Sequence, residues 1–158
     1  MRTVVDSRLF MLDTDVCSYL VRGGSPRLEA RLRSANPDQL CISVITRGEL
    51  LYGLERRPDA TRLARLVHAL LDTIRVLPWE AGAAGWYARV RAQLDKEGTP
   101  IGCADTLIAA HAIDVDAVLV TNNVRHYDRI KVRRFRHENW AEDGAVSRGS
   151  VRRESNKP

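Results

Sequence analysis

Arg8-Leu9-Phe10-Met11-Leu12-Asp13 is a short apolar run closed by an aspartate, with Thr14, Asp15 and Val16 directly after it. A run this short and this apolar reads as a strand buried on both faces, the kind found inside parallel sheets. Three more segments share that form: Leu40 to Val44, Ile74 to Leu77 and Ala117 to Val120. A fifth is expected at Lys131 to Phe135. Helical patterns fill the intervals. Asp15 is placed to cap a helix running to about Val21. Ser25-Pro26 starts one that reaches about Ser34, since proline suits the first helical position. Asn36-Pro37-Asp38 reads as a turn. Further helices are expected from Thr46 to about Arg56, from Ala60 to Asp72, from Glu80 to Lys96 and from Ala104 to Ile113. In the second of these, Leu63, Leu66, Val67, Leu70 and Leu71 share one face. Strands alternating with helices predict an α/β fold with a parallel sheet covered on both faces.

The chain has 158 residues, enough for one domain with a real core. Hydrophobic residues at 44% and charged residues at 28% exclude a disordered, collagenous or disulfide-dense chain. Cys17, Cys41 and Cys103 are odd in number and lack a Cys-x-x-Cys spacing. They read as reduced core thiols of an intracellular, cytoplasmic protein. The longest apolar region, Ile101 to Val120, is broken by Asp105, His111, Asp114 and Asp116, so no membrane span is expected. Nor does the N-terminus read as a secretory signal. No repeat is visible. Residues 1–7 read as an N-terminal extension, 8–140 as the folded domain and 141–158 as a polar, disordered tail.

The net charge is +5, and all but three of the 25 basic residues are arginine, the exceptions being Lys96, Lys131 and Lys157. Arginine's planar fork suits phosphate, so the balance is compatible with a nucleic-acid partner.

In open parallel sheets, sites form beyond the carboxyl ends of the strands. Asp13 ends the first strand. Glu49 falls in the first turn of the helix after the second. Asp105 lies near the start of the helix leading to the fourth, and Thr121-Asn122-Asn123 end the fourth. Clustered carboxylates suit Mg²⁺ or Mn²⁺, which can activate a water against a phosphodiester. Structural readings stand beside these. Asp13 fits a helix cap, Thr46-Arg47-Gly48-Glu49 fits a capping box, and Thr121-Asn122-Asn123 fits a plain turn. Asp105 is the most telling, because its helix is apolar almost all round and a buried carboxylate needs a cation or strong donors. His68 reads as a surface or boundary residue and His111 as a hydrogen-bonded core residue. His126 and His137 have no ligand spacing with any cysteine. Trp79, Trp86 and Trp140 read as core. Arg133, Arg134 and Arg136 around Phe135 read as a solvated face.

Four stretches, in order, resemble the PIN-domain nucleases of the VapC toxin type. They are Phe10-Met11-Leu12-Asp13-Thr14-Asp15-Val16-Cys17; Ile42 to Gly53; Pro100 to Ala112, containing Cys103-Ala104-Asp105-Thr106; and Leu119-Val120-Thr121-Asn122-Asn123-Val124-Arg125, followed by Glu138-Asn139-Trp140. The resemblance spans roughly residues 8–140. It implies a three-layer α/β/α sandwich and a Mg²⁺-dependent endoribonuclease, the toxin of a toxin–antitoxin pair. It also implies RNA as substrate, a homodimer and a small antitoxin that blocks the site. Asp13 and Asp105 match the family's metal-binding acids and Glu49 its third acid. Two positions depart from the pattern. Asp15 stands where asparagine is common, and His126 replaces the acid after Thr-Asn-Asn-x-Arg, with Asp128 the nearest carboxylate. A translation start after residues 1–7 would also fit the resemblance.

Two rival readings fit parts of the pattern. Asp13-Thr14-Asp15 after an apolar strand, with Val118 to Asn122 as a second motif, looks like a haloacid-dehalogenase-type phosphatase. That family needs a lysine and paired acids downstream, where the ordered chain offers only Lys131, and it leaves Glu49 and Asp105 unexplained. A non-catalytic RNA-binding module would have no use for clustered acids, which repel phosphate.

Overall fold

The computed structural model describes residues 8–142 and 147–148. Its sheet has the order β3-β2-β1-β4-β5-β6. β1 (Leu9–Leu12), β2 (Leu40–Ser43), β3 (Arg75–Leu77), β4 (Ala117–Val120) and β5 (Arg136–Glu138) are all parallel, and β6 (Ser147–Arg148) pairs antiparallel with β5. β1 lies in the middle, with Phe10 opposite Leu40 on one side and Val118 on the other.

Helices α1 (Thr14–Val21) and α2 (Pro26–Ser34) carry the chain from β1 to β2, α3 (Val44–Glu55) and α4 (Thr61–Thr73) from β2 to β3, and α5 (Ala81–Lys96) and α6 (Cys103–Asp114) back across to β4. A short α7 (Val124–Tyr127) leads toward β5. The chain thus leaves β1 in one direction along the sheet and β4 in the other. The two strands are neighbours, so the switch point of this topology lies beyond their carboxyl ends.

Alternation along each strand divides the core. Met11, Cys41 and Leu119 point into one layer with Val90 and Leu94 of α5 and Ile108 and Ile113 of α6. Their neighbours Leu12, Ile42 and Val120 point into the other with Val16 of α1, Leu28 of α2, Leu50 of α3 and Val67 of α4. Side chains one residue apart serve opposite faces, and the result is the expected three-layer α/β/α sandwich. The end of the domain is pinned to its beginning. The Trp140 ring packs edge-on against Phe10 at 5.0 Å, its Nε1 donates to Glu138 Oε2 at 2.8 Å, and Arg31 lies over its face.

Several expectations shift. The fifth strand falls at Arg136–Glu138 rather than Lys131–Phe135, because the Phe135 amide is used in a turn to the Val132 carbonyl and its ring packs against Tyr127. α1 is capped by Asp13, not Asp15. α3 begins at Val44 under a Ser43 cap, two residues before Thr46. Thr46 is therefore inside the helix, and the capping box with Glu49 does not form. Leu66 faces solvent, and Cys103 is exposed while Cys17 and Cys41 are buried. Burial pushes the Cys41 thiol up to about 12, the mark of an inert core thiol. The extension at 1–7 lies outside the described residues, as does most of the expected tail at 141–158, of which Ser147–Arg148 form β6.

Candidate active site

Asp13 follows β1 at the switch point and is 2% exposed. Its Oδ1 accepts from the Thr14 amide at 2.8 Å and the Tyr127 hydroxyl at 3.2 Å, and its Oδ2 accepts from the Thr121 hydroxyl at 2.9 Å. Thr121 follows β4, so this last bond ties the two switch-point strands together through their side chains. Burial first, then the charges of Asp15 and Asp105, push the Asp13 carboxyl up to about 8 against the bonds from Thr121 and Thr14. Burial also raises Asp15 and, together with the nearby acids, holds the Tyr127 phenol well above its usual range, so that it stays a donor.

Asp105 reaches the same place from the other layer. Gly102 holds a φ of +99°, a conformation L side chains rarely adopt, and turns the chain into α6. Asp105 then stands in the first turn of that helix, where the exposed amides favour a negative charge. It is half-buried rather than fully buried as expected. Its Oδ2 lies 3.1 Å from His126 Nδ1, and Asn123 Nδ2 lies 2.8 Å from the same nitrogen. One ring nitrogen cannot donate to the carboxylate and accept from the amide at once. The arrangement is satisfied when Nδ1–H donates to Asp105 and the Asn123 amide presents its oxygen instead.

Asp13, Asp105 and the exposed Glu49 line one open cleft of about 510 Å³ together with Asp15, Asn122 and Asn123. All three acids singled out in the sequence thus come together. The buried Oδ1 of Asn122 has no hydrogen-bond partner. An orphaned oxygen among carboxylates pushed out of their ordinary range is the environment a hard cation relieves. Among the described residues no three His, Cys, Asp or Glu side chains close on a single point. Such a donor set fits Mg²⁺, which keeps several waters and takes one or two carboxylates.

The other residues sort out clearly. Asp128 bonds His137 at 3.1 Å and is not among the cleft residues. His126, which stands where the resemblance places an acid, is the residue that meets Asp105. The signal available was its place just beyond Thr121-Asn122-Asn123, at the end of a switch-point strand. His111 is a hydrogen-bonded core residue, with Nδ1 2.8 Å from Ser43 Oγ, and His68 is exposed. Lys131 pairs with Glu97 at 3.4 Å and is not a cleft residue, which removes the lysine a phosphatase of the dehalogenase type would need.

Comparison with known proteins gives the family of this fold. The family model described as "PIN domain" matches residues 10–132. The "tRNA(fMet)-specific endonuclease VapC" of Shigella flexneri is 34% identical over 132 residues, covering 84% of this chain and 98% of that protein. The protein of the same name from Salmonella typhimurium is 36% identical, covering 83% and 97%. Among solved structures, "Crystal structure of DNA bound VapBC from Salmonella typhimurium" superposes with a TM-score of 0.76 at 35% identity, over 84% of this chain and 98% of that one. An acid-lined switch point on a parallel α/β/α sandwich and these matches lead to one conclusion: the chain belongs to the PIN-domain family, among its VapC ribonucleases.

Proposed function

We propose that the chain is the toxin of a type II toxin–antitoxin pair, a divalent-metal-dependent endoribonuclease that hydrolyses RNA phosphodiesters with a metal-activated water. The observation that carries the reading is the convergence of Asp13, Glu49 and Asp105 on one cleft with the unpartnered Asn122 oxygen. Asp13 and Asp105 are the ligands for Mg²⁺, with Mn²⁺ as a substitute. The bound ion supplies a more acidic water and offsets charge on the phosphate. The protein's own part is positional. Three hydrogen bonds fix the Asp13 carboxyl in one orientation, and His126 fixes that of Asp105. Glu49 carries no capping duty, so its carboxylate is free to orient a water or take its proton.

A cognate small antitoxin and a homodimer complete the assignment. The toxin–antitoxin complex from Salmonella supports the first of these. The two tRNA endonucleases favour a tRNA as the first substrate to offer. A non-catalytic RNA-binding module is disfavoured because the cleft repels phosphate without a cation. The test is cleavage of initiator tRNA and of total RNA by the purified chain, in Mg²⁺ and in excess EDTA, beside Asp105→Asn. Cutting that needs the ion and is lost in the variant is expected. Equal cutting in EDTA, or full activity in Asp105→Asn, overturns the assignment.

A further inference from the structure

A second cavity adjoins the acid cleft. It measures about 190 Å³, lies between α1, α3 and α4, and shares Ser18, Arg22 and Glu49 with the cleft. Beyond that shared edge its character reverses. Arg56 and Arg57 join Arg22 on its walls, Glu49 is the sole carboxylate among its lining residues, and Leu50, Leu54 and Val67 contribute apolar surface. Acids thus gather in the cleft and Arg56 and Arg57 in the adjoining cavity, with Arg22 on the edge the two share. Arg56 and Arg57 are exposed, with the Arg56 guanidinium 5.8 Å from the centre of the exposed Tyr52 ring.

A single-stranded polyanion crossing the acid cleft must place its next phosphates on one side or the other. On this side it meets arginines able to bind two phosphate oxygens each and an apolar floor suited to a ribose or base. We infer that this cavity is a subsite for the nucleotide flanking the scissile phosphate, with Arg22, Arg56 and Arg57 binding its backbone phosphates. The inference rests on the ribonuclease reading and names how that same site holds its substrate. Gly53 on α3 adds a structural condition. It lines the cavity, and a Cβ built there meets nothing within 4 Å, so a side chain at this position would occupy the space a nucleotide needs.

The test uses the full chain and a fluorescein-labelled, single-stranded 12-nucleotide RNA. Affinity is read by anisotropy in Ca²⁺ over a range of salt, and cleavage in Mg²⁺ is followed separately. Each phosphate contact to a single strand steepens the salt dependence by about 0.7 in log–log slope, equivalent to about fivefold in affinity at 0.1 M salt. The triple variant Arg22→Gln/Arg56→Gln/Arg57→Gln is expected to bind about 100-fold more weakly, with a slope shallower by about 2. The remote pair Arg89→Gln/Arg133→Gln is expected to shift both far less. Gly53→Leu, which changes no charge, is expected to weaken binding as well. The inference is overturned if the triple variant keeps wild-type affinity and slope while the wild type binds and cuts RNA; the cavity then serves another occupant, such as an acidic peptide of a partner protein. It is also overturned if the remote pair matters equally, since the arginines then act only through overall charge. A wild type that neither binds this RNA nor cuts initiator tRNA or total RNA in Mg²⁺ sinks the ribonuclease reading instead, and this inference with it.

Discussion

Replacing Asp13 by asparagine should make the metal-free protein more stable at neutral pH. Burial and the neighbouring acids move this carboxyl from 3.8 to about 8 on folding. Between those values the folded chain holds a proton that the unfolded chain has released. The stability contribution is therefore complete below about pH 4 and is lost as pH rises toward 8. At pH 7 the gap from 3.8 corresponds to a cost of about 4 kcal/mol at 1.36 kcal/mol per pH unit. Asparagine carries no charge, and its Oδ1 still accepts from the Thr14 amide and the Tyr127 hydroxyl. Its NH₂ group instead faces Thr121 Oγ, so that hydroxyl must turn its proton toward Asp15, at about 1 kcal/mol. The net gain of about 3 kcal/mol corresponds to about 6–12 °C in Tm for a domain of this size. Thermal unfolding in EDTA and low salt, from pH 4 to 8, measures it. The two proteins should melt nearly together at pH 4 and separate as pH rises. Added Mg²⁺ should then raise the wild type and leave the variant unchanged. A variant that melts at or below the wild type at pH 7.5, or a gap independent of pH, refutes the reasoning.

Glu49→Gln should lower the cleavage rate at least 100-fold, while an exposed residue without capping duty changes stability by less than about 0.5 kcal/mol; an unchanged rate in a cleavage assay returns Glu49 to a surface role. His126→Asn keeps an N–H within reach of Asp105 and should retain about tenfold more Mn²⁺ affinity than His126→Ala, the scale on which groups that orient a ligand act; calorimetry giving equal losses argues against positioning by His126. Burial lowers His111 and His137 from 6.5, so the unfolded chain takes up protons first as pH falls. Their contribution is complete above about 6.5 and declines below it until the folded values are passed. His137→Gln should flatten the acid side of the Tm–pH curve, and an unaltered curve would mean that His137 does not set it.

Much of the fold was legible because the central strands β1, β2 and β4 are largely buried on both faces. Such strands appear as short apolar runs with no competing period, and Ala117–Val120 is found where the run lies. β5 was not, because Phe135 is apolar for a turn and Arg136-His137-Glu138 is polar for a strand that pairs with β4. At the site, Asp13 and Asp105 stood out because a carboxylate beside apolar core is costly and so conspicuous. Glu49 was legible by place but not by role, since Thr46 and Glu49 have the spacing of a cap and only the position of Ser43 shows that the helix already began two residues earlier. His126 was legible as a departure from the family's pattern but not as a partner of Asp105, because the two lie 21 residues apart on different elements, a distance that no local pattern records.

The order of strands has a consequence for synthesis. β4 must dock against β1, which pairs Leu9 with Ala117, before Thr121 can reach Asp13, and Trp140 must arrive before the first strand is covered at Phe10. A ribosome that has released only the portion from β1 through α3 and α4 to β3 holds a chain with Asp13 and Glu49 made but Asp105, Thr121 and Asn122 not yet translated. The nuclease centre closes late, from the two ends of the domain inward. On the proposed reading, a chain that cuts RNA lacks Asp105 and the tie from Thr121 to Asp13 until synthesis has passed β4.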